Sequence, residues 1–429
     1  MSVYDSLERV REDIITCMKC GNCQAVCPIY KEDFREASVA RGKIMLADAL
    51  LKGELDYTPE VAQRFELCLT CKACVGNCPC GVQVDRIILA ARAERVRRRG
   101  LPWPKGIVFR GLKQPGLFNK VVGLGRRLQG LVLAPVGEGI CRPRFPMGLD
   151  SRRIVPPLAT VSLKDRVSPV TKVEKPLLRV GFYAGCLTNF VYPDIGLSVI
   201  RVLTANNIEV HLLSGQHCCG VPVLMHGDVG TAKEMALSHV GMFFAAKLDA
   251  LVTACPTCGC AWKHYYPDLL ANFSSASKAK DLAAITLDIN EFLVKRTGMP
   301  APGSGHVLRK LTYHDPCHLA RGQGVRKEPR EVLQRLAGAQ LVEMALSDRC
   351  CGGAGSFSLT HYDIASKIVN RKTERIAASG ADLVVTACPG CRMHLTDGLR
   401  QKGISQRVLH TVEVLDEAYQ ASKQQANAG

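Results

Sequence analysis

The chain has 429 residues, 47% of them hydrophobic and 22% charged, with a formal net charge of +17; that length suits about two to four domains, each with its own core. No apolar run reaches the roughly 18 residues needed to cross a bilayer, and the charged start, Met1 to Asp13, has no apolar stretch of the kind that opens a signal peptide. Twenty-one cysteines are too many for chance and too few for a small disulfide scaffold, so clustered thiols without export point to a reducing, cytoplasmic compartment and to metal.

Two runs near the start carry most of the chemistry. Cys17, Cys20, Cys23 and Cys27, then Pro28, and Cys68, Cys71, Cys74 and Cys78, then Pro79, both read C-x2-C-x2-C-x3-C-P. This is the spacing of two-cluster bacterial ferredoxins, in which three cysteines hold one 4Fe–4S cube and the fourth crosses to the other. Cys17, Cys20, Cys23 and Cys78 are therefore expected around one cluster, and Cys68, Cys71, Cys74 and Cys27 around the second. Structural zinc also uses C-x2-C pairs, but two complete matches, each closed by proline, argue for iron–sulfur cubes. The rest of residues 1–100 reads as helical: Ala37 to Leu51 and Val84 to Arg99 carry apolar residues at helical spacing, and the second ends in arginines and Gly100, an ordinary helix stop.

Residues 101–175 read as a basic linker rich in proline and glycine. Gly116 to Ala134 mixes apolar and basic residues, which suits a membrane interface, a partner, or a helix lying on the protein's own surface. From about residue 176 the chain repeats itself. Cys186, Cys218-Cys219-Gly220 and Cys255-x2-Cys258 recur as Cys317, Cys350-Cys351-Gly352 and Cys388-x2-Cys391, at offsets of 131, 132 and 133 residues. The units are expected at 176–300 and 301–429. Short β-rich runs end at the cysteines (Leu178 to Tyr183, Ala250 to Thr253, Leu311 to Tyr313, Asp382 to Thr386), with helical patterns between them. Strand–helix alternation predicts parallel sheets whose carboxyl ends gather the five thiols of each unit in a crevice. The fold class is thus α+β and multidomain: a mainly helical two-cluster ferredoxin domain followed by two duplicated α/β cysteine-rich domains.

Five thiols with an adjacent pair exceed a tetrahedral zinc site and suit a cluster of several irons. The order Cys, Cys-Cys-Gly, Cys-x2-Cys resembles the CCG domain of heterodisulfide reductase and its relatives. Two such domains behind a two-cluster ferredoxin resemble the iron–sulfur subunits of glycolate oxidase and of D-lactate and anaerobic glycerol-3-phosphate dehydrogenases. The resemblance implies one or two further 4Fe–4S clusters, cubane or non-cubane, in addition to two cubanes. Cys80, Cys141 and Cys260 remain outside these sets. His217, His314, His318 and His394 flank them and are expected to orient ligands or pack, since thiolates already fill the ligand count.

No P-loop is present, and no G-x-G-x-x-G follows a predicted strand. Gly123-Leu124-Gly125 misses the third glycine, and Gly352-Gly353-Ala354-Gly355 has the wrong spacing. The chain is therefore expected to bind neither flavin nor NAD. The resemblance implies an electron-transfer subunit of a glycolate or D-lactate dehydrogenase. Its donor would be an FAD-binding subunit or an electron-transfer flavoprotein, and its acceptor a membrane quinone or another carrier, with the protein cytoplasmic or peripheral at the inner face of the membrane. The alternative is a heterodisulfide reductase-type subunit that reduces a disulfide at the CCG clusters. Nucleic acid is not an expected partner, because clusters at about −2 each would absorb roughly half of the positive charge.

Overall fold

The computed structural model describes residues 2–145, 148–298 and 309–428. The cysteine runs near the start are held by helices α1 (Ala40–Lys52), α2 (Pro59–Glu66) and α3 (Val84–Arg99). Ile44, Ala47, Val61, Phe65, Ile87 and Ile88 form one apolar core beneath them. At roughly 1.5–3 kcal/mol for each fully buried large aliphatic or phenylalanine side chain, that core anchors two loops that contain little regular structure themselves. The segment expected as a weakly periodic linker folds into two helices, α4 (Trp103–Lys113) and α5 (Pro115–Val132), and a hairpin of β1 (Leu133–Gly137) and β2 (Ile140–Pro143). Its glycines obscure the helical period, while prolines at the first turns of α4 and α5 fit helix starts.

Each cysteine-rich unit is built on a sheet. The first contains β3 (Val170–Thr171), β4 (Leu178–Tyr183), β5 (Ile208–His211), β6 (Ala250–Thr253) and β7 (Thr286–Asp288), in the order β3-β5-β4-β6-β7. The second contains β8 (Arg309–His314), β9 (Ala339–Leu341), β10 (Leu383–Thr386) and β11 (Arg407–His410), in the order β11-β10-β8-β9. Apart from antiparallel β3, all pairs in both sheets are parallel. With β3 set aside, the spatial order in each unit is second, first, third, fourth strand, so chain direction across the sheet reverses beside the first of them, β4 or β8. Ligand crevices form at such switch points, outside the carboxyl ends of the strands. Cys186 and Cys317 follow the first strands, and Cys255 and Cys388 the third.

The units share one core. Phe182, Val252 and Phe292 of the first join Leu311, Val385 and Leu415 of the second in a single buried cluster. Helix α6 (Pro193–Ala205) of the first unit packs on α9 (Thr411–Ala428) of the second; α7 (Val229–Ala245) and α8 (Tyr362–Ala378) lie between them in sequence. At the α6–α9 contact, buried Asp416 accepts hydrogen bonds from Ser198 Oγ at 2.9 Å and Arg201 Nε at 3.0 Å. The ferredoxin part is clamped to both units. Arg92 Nη1 donates to Met225 O at 2.9 Å and Lys233 pairs with Asp5 at 2.7 Å, while Arg349 Nη1 donates to Val26 O at 3.0 Å and Arg371 pairs with Glu32 at 3.2 Å.

Asp416→Ala should loosen the seam between the two units. Removing a buried, charge-assisted acceptor is expected to cost about 1–3 kcal/mol, read as a lower urea midpoint of the anaerobically prepared protein.

Candidate metal centre

The two C-x2-C-x2-C loops adopt the same backbone shape. Lys19 and Gly21 in the first, and Thr70 and Lys72 in the second, all take left-handed conformations at matching positions. Non-glycine residues seldom adopt positive φ, so the repetition marks a loop curled around something. Cys27, Cys68, Cys71 and Cys74 line one pocket together with Lys43. This brings Cys27 of the first run to three cysteines of the second. Thr70 N–H donates to Cys68 Sγ at 3.4 Å, and Tyr30 N–H to Cys27 Sγ at 3.5 Å. Around the other set, Asn77 Nδ2 donates to Asn22 O at 2.9 Å and ties the Cys78 loop to the Cys23 helix. Cys20 is exposed, while Cys17, Cys23 and Cys78 are half-buried.

The duplicated half does more than gather five thiols twice. One cavity of about 170 Å³ is lined by all ten: Cys186, Cys218, Cys219, Cys255 and Cys258 from the first unit, and Cys317, Cys350, Cys351, Cys388 and Cys391 from the second. Cys186 contacts Cys218, and Cys219 contacts both Cys218 and Cys258. Cys255 contacts Cys258 in its own unit and Cys388 across the seam. Cys391 lies between Cys388 and Cys351, 3.6 Å from the latter, and Cys350 contacts Cys351 and Cys317. Cys350 also meets Cys71, and that hydrogen bond pushes the Cys71 thiol up. A sulfur-lined path therefore runs from the second ferredoxin pocket into the cavity and across both units.

This donor set fits a polynuclear iron–sulfur group. The sulfurs are soft donors, among the described residues neither lysine nor arginine nor a carboxylate lines the cavity, and ionised thiolates buried there need cations. Cys219, hydrogen-bonded by Cys218 and Cys258, is already drawn down to about 6. Glycine at the end of each Cys-Cys-Gly keeps the turn tight: Gly220 and Gly352 have φ of +78° and +91°. A Cβ on Gly352 would stand 3.0 Å from Ala365 O.

The units differ beside the thiols. In the second, His314 donates through Nδ1 to Ser347 O at 3.2 Å, leaving buried Nε2 without a partner; a ring nitrogen of His314 and the sulfurs of Cys351 and Cys391 all lie within 4.8 Å of one another. At the offset of 131 the first unit has Tyr183, whose hydroxyl donates to His217 O at 2.7 Å. Lys372 is buried in α8, with Nζ donating to Leu346 O at 2.7 Å and Ser347 O at 3.1 Å. Burial lowers it to about 8, and the neighbouring Cys351 and Cys350 oppose that shift. Of the other flanking histidines, His318 lines the cavity with Nδ1 3.5 Å from Cys317 Sγ, while His217 and His394 do not line it. Cys260 turns away, its thiol donating to His318 O at 3.1 Å. Cys80 sits at the edge of the ferredoxin core, and Cys141 in the β1–β2 hairpin.

Comparison with known proteins places two family models on the chain: the cysteine-rich CCG domain at residues 180–263 and 311–396, and the 4Fe-4S dicluster domain at residues 13–82. The protein named "Probable glycolate oxidase iron-sulfur subunit" in Bacillus subtilis is 29% identical over 96% of this chain and 95% of its own length. Lactate utilization protein A 2 of Bacillus cereus is 30% identical over 56% of this chain and 98% of its own length. The glycolate oxidase iron-sulfur subunit of Escherichia coli is 29% identical over 94% of this chain and 93% of its own length.

The buried ammonium of Lys372 should favour reduction at the second unit relative to the first. Lys372→Met is expected to lower the midpoint potential of the centre at Cys350 and Cys351 and to leave that at Cys218 and Cys219 in place, as read by anaerobic redox titration with EPR detection. In the unaltered protein, raising the pH through about 8 removes that charge, and the same potential should fall.

Proposed function

The chain belongs to the CCG-domain iron–sulfur protein family that includes the glycolate oxidase iron–sulfur subunits, and from that premise we propose that it relays electrons from an FAD-binding glycolate or D-lactate dehydrogenase subunit to a membrane quinone or another acceptor. The observation that carries this reading is the path of thiols from the Cys68–Cys74 loop through Cys71 and Cys350 to the ten-cysteine cavity. Cys17, Cys20, Cys23 and Cys78 would hold one 4Fe–4S cube and Cys68, Cys71, Cys74 and Cys27 another. The five cysteines of each CCG unit would hold the rest. Bound there, such clusters supply one-electron redox capacity at potentials set by hydrogen bonds to sulfur, charge and exposure.

The polypeptide's share of the work is placement and insulation. Backbone N–H groups of Thr70, Tyr30, Gly352 and Cys391 point at cysteine sulfurs, which favours the ionised ligand. Leu69, Val221, Pro222 and Met225 shield the cavity wall from water. The arginine clamps hold the ferredoxin part at fixed separation from both units, so no domain motion is needed to bring redox sites together.

Delivery to a quinone requires a surface that meets lipid, and helices α4 and α5 supply one. The inner face of α5 rests on the protein: the Phe118 and Phe190 rings are 5.3 Å apart, and Gln129 exchanges hydrogen bonds with the Leu158 backbone at 2.8 and 3.1 Å. Its outer face exposes Leu117, Val121, Leu124, Leu128 and Leu131, with Lys120 and Arg127 beside them, and α4 adds Trp103 and Ile107. No acidic residue occurs between Glu94 and Glu138. An apolar stripe with basic residues and no acids suits the headgroup region of an anionic bilayer.

A second reading rests on the single cavity shared by the two CCG units. It faces both sets of thiols, so a disulfide that reached it would meet the cysteines of both units, as a heterodisulfide reductase-type subunit would require.

Cys71→Ser should abolish dye or quinone reduction by the reconstituted complex with glycolate or D-lactate while substrate still bleaches the partner's flavin; a flavin that stays oxidised would contradict the relay. Disulfide turnover by the purified chain without a flavoprotein would transfer the assignment to the second reading. Leu124→Glu with Leu128→Glu should reduce sedimentation with phosphatidylglycerol vesicles at least tenfold and leave dye reduction in solution unchanged.

A further inference from the structure

Beside the ten-cysteine cavity lies a second cavity of about 250 Å³ with opposite chemistry. Leu69, Thr70, Met225, Ala354 and Ser356 line both, so the two share a wall. Three basic side chains converge on the second: Arg92, Arg95 and Lys105. One carboxylate, Glu66, faces them and is taken by an ion pair with Arg95. Arg92 is buried and spends its donors on backbone oxygens, with Nη2 2.9 Å from Phe65 O and 2.7 Å from Cys68 O. Among the described residues no carboxylate forms a salt bridge with Arg92 or Lys105. Lys105 is therefore left without a carboxylate of its own in a partly enclosed space, an arrangement that an entering anion would relieve.

The hydrogen bonds are arranged for that anion. Lys105 Nζ lies 3.5 Å from His226 Nδ1, and His226 Nε2 lies 2.7 Å from Ser356 Oγ. An ammonium only donates, so Nδ1 is the acceptor and Nε2 carries the hydrogen to Ser356. Ser356 accepts from the ring and keeps its own hydroxyl hydrogen to give. Lys105 keeps two ammonium hydrogens. Burial and the neighbouring cations hold His226 down to about 3, so it stays neutral and acts as the link between the two donors.

We propose that this cavity binds the carboxylate or phosphate group of a small molecule, through Lys105, Ser356 and the field of Arg92 and Arg95. This goes beyond the relay assignment and does not depend on which donor or acceptor the chain serves. The bound group would lie next to the loop that carries Cys68, so added negative charge there should disfavour reduction of the centre held by Cys68, Cys71, Cys74 and Cys27.

Equilibrium dialysis of the anaerobically purified full chain, with inorganic phosphate in one arm and glycolate or D-lactate in the other, tests the proposal; uncharged glycolamide is the control. Saturable binding of one ligand per chain is expected in at least one arm. Binding in the phosphate arm alone assigns a phosphate-bearing ligand, and binding in the hydroxyacid arm alone a carboxylate. Lys105→Gln should weaken binding at least tenfold, and Ser356→Ala less, with iron content unchanged, and the bound anion should lower the midpoint potential of the Cys68–Cys74 centre. No saturable binding in either arm, equal binding of glycolamide, or affinity unchanged in both variants would overturn it.

Discussion

A thiolate is costly to bury unless a positive charge stands beside it. Ten cysteines line one cavity at the seam between the two CCG units, and among the described residues neither lysine nor arginine lines it with them. The compensating charge must come from bound cations, and this demand explains otherwise unconnected features. Glycine ends both Cys-Cys-Gly turns because the backbone there has positive φ. Parallel strands deliver each cysteine loop to the same end of its sheet. The common hydrophobic core, in which Phe182 and Val252 pack with Leu311 and Val385, brings the two crevices face to face.

Duplication has not produced two equal sites. Tyr183 in the first unit stands where His314 stands in the second, and His239 stands where Lys372 stands, at offsets of 131 and 133 residues. The second unit thus has an imidazole nitrogen and a buried ammonium near Cys351, and it is also the unit whose Cys350 meets Cys71 of the ferredoxin part. The first unit instead surrounds its thiols with aromatic packing: Trp262 lies between Tyr183, Phe243 and Tyr266 at ring distances of 4.9–5.5 Å. The additional positive charge thus stands in the unit whose Cys350 meets Cys71.

Much of the scaffold was legible in the residues. β4 and β6 span the same residues that their apolar runs predicted, because central parallel strands are buried on both faces and read as unbroken hydrophobic stretches. β5, β7, β9 and β11 were not, since they are at least as short as β6 but no cysteine motif follows directly to mark where they end. Cysteine spacing grouped the thiols into the sets that line the two sites. It carried no information on how the sets face one another, because that depends on a core made of residues more than a hundred positions apart. The cationic cavity was hidden for the same reason: Arg92, Lys105, His226 and Ser356 come from four separate segments and form no motif.

Metal content of the anaerobically purified chain tests the central claim most directly. Two ferredoxin-type cubes and at least one further cluster at the CCG cavity predict about twelve to sixteen irons per chain, with matching acid-labile sulfide, at four irons for each cluster. About eight irons, with the ten cysteines of the CCG units free to react with a thiol reagent under denaturing conditions before any metal is released, would contradict it.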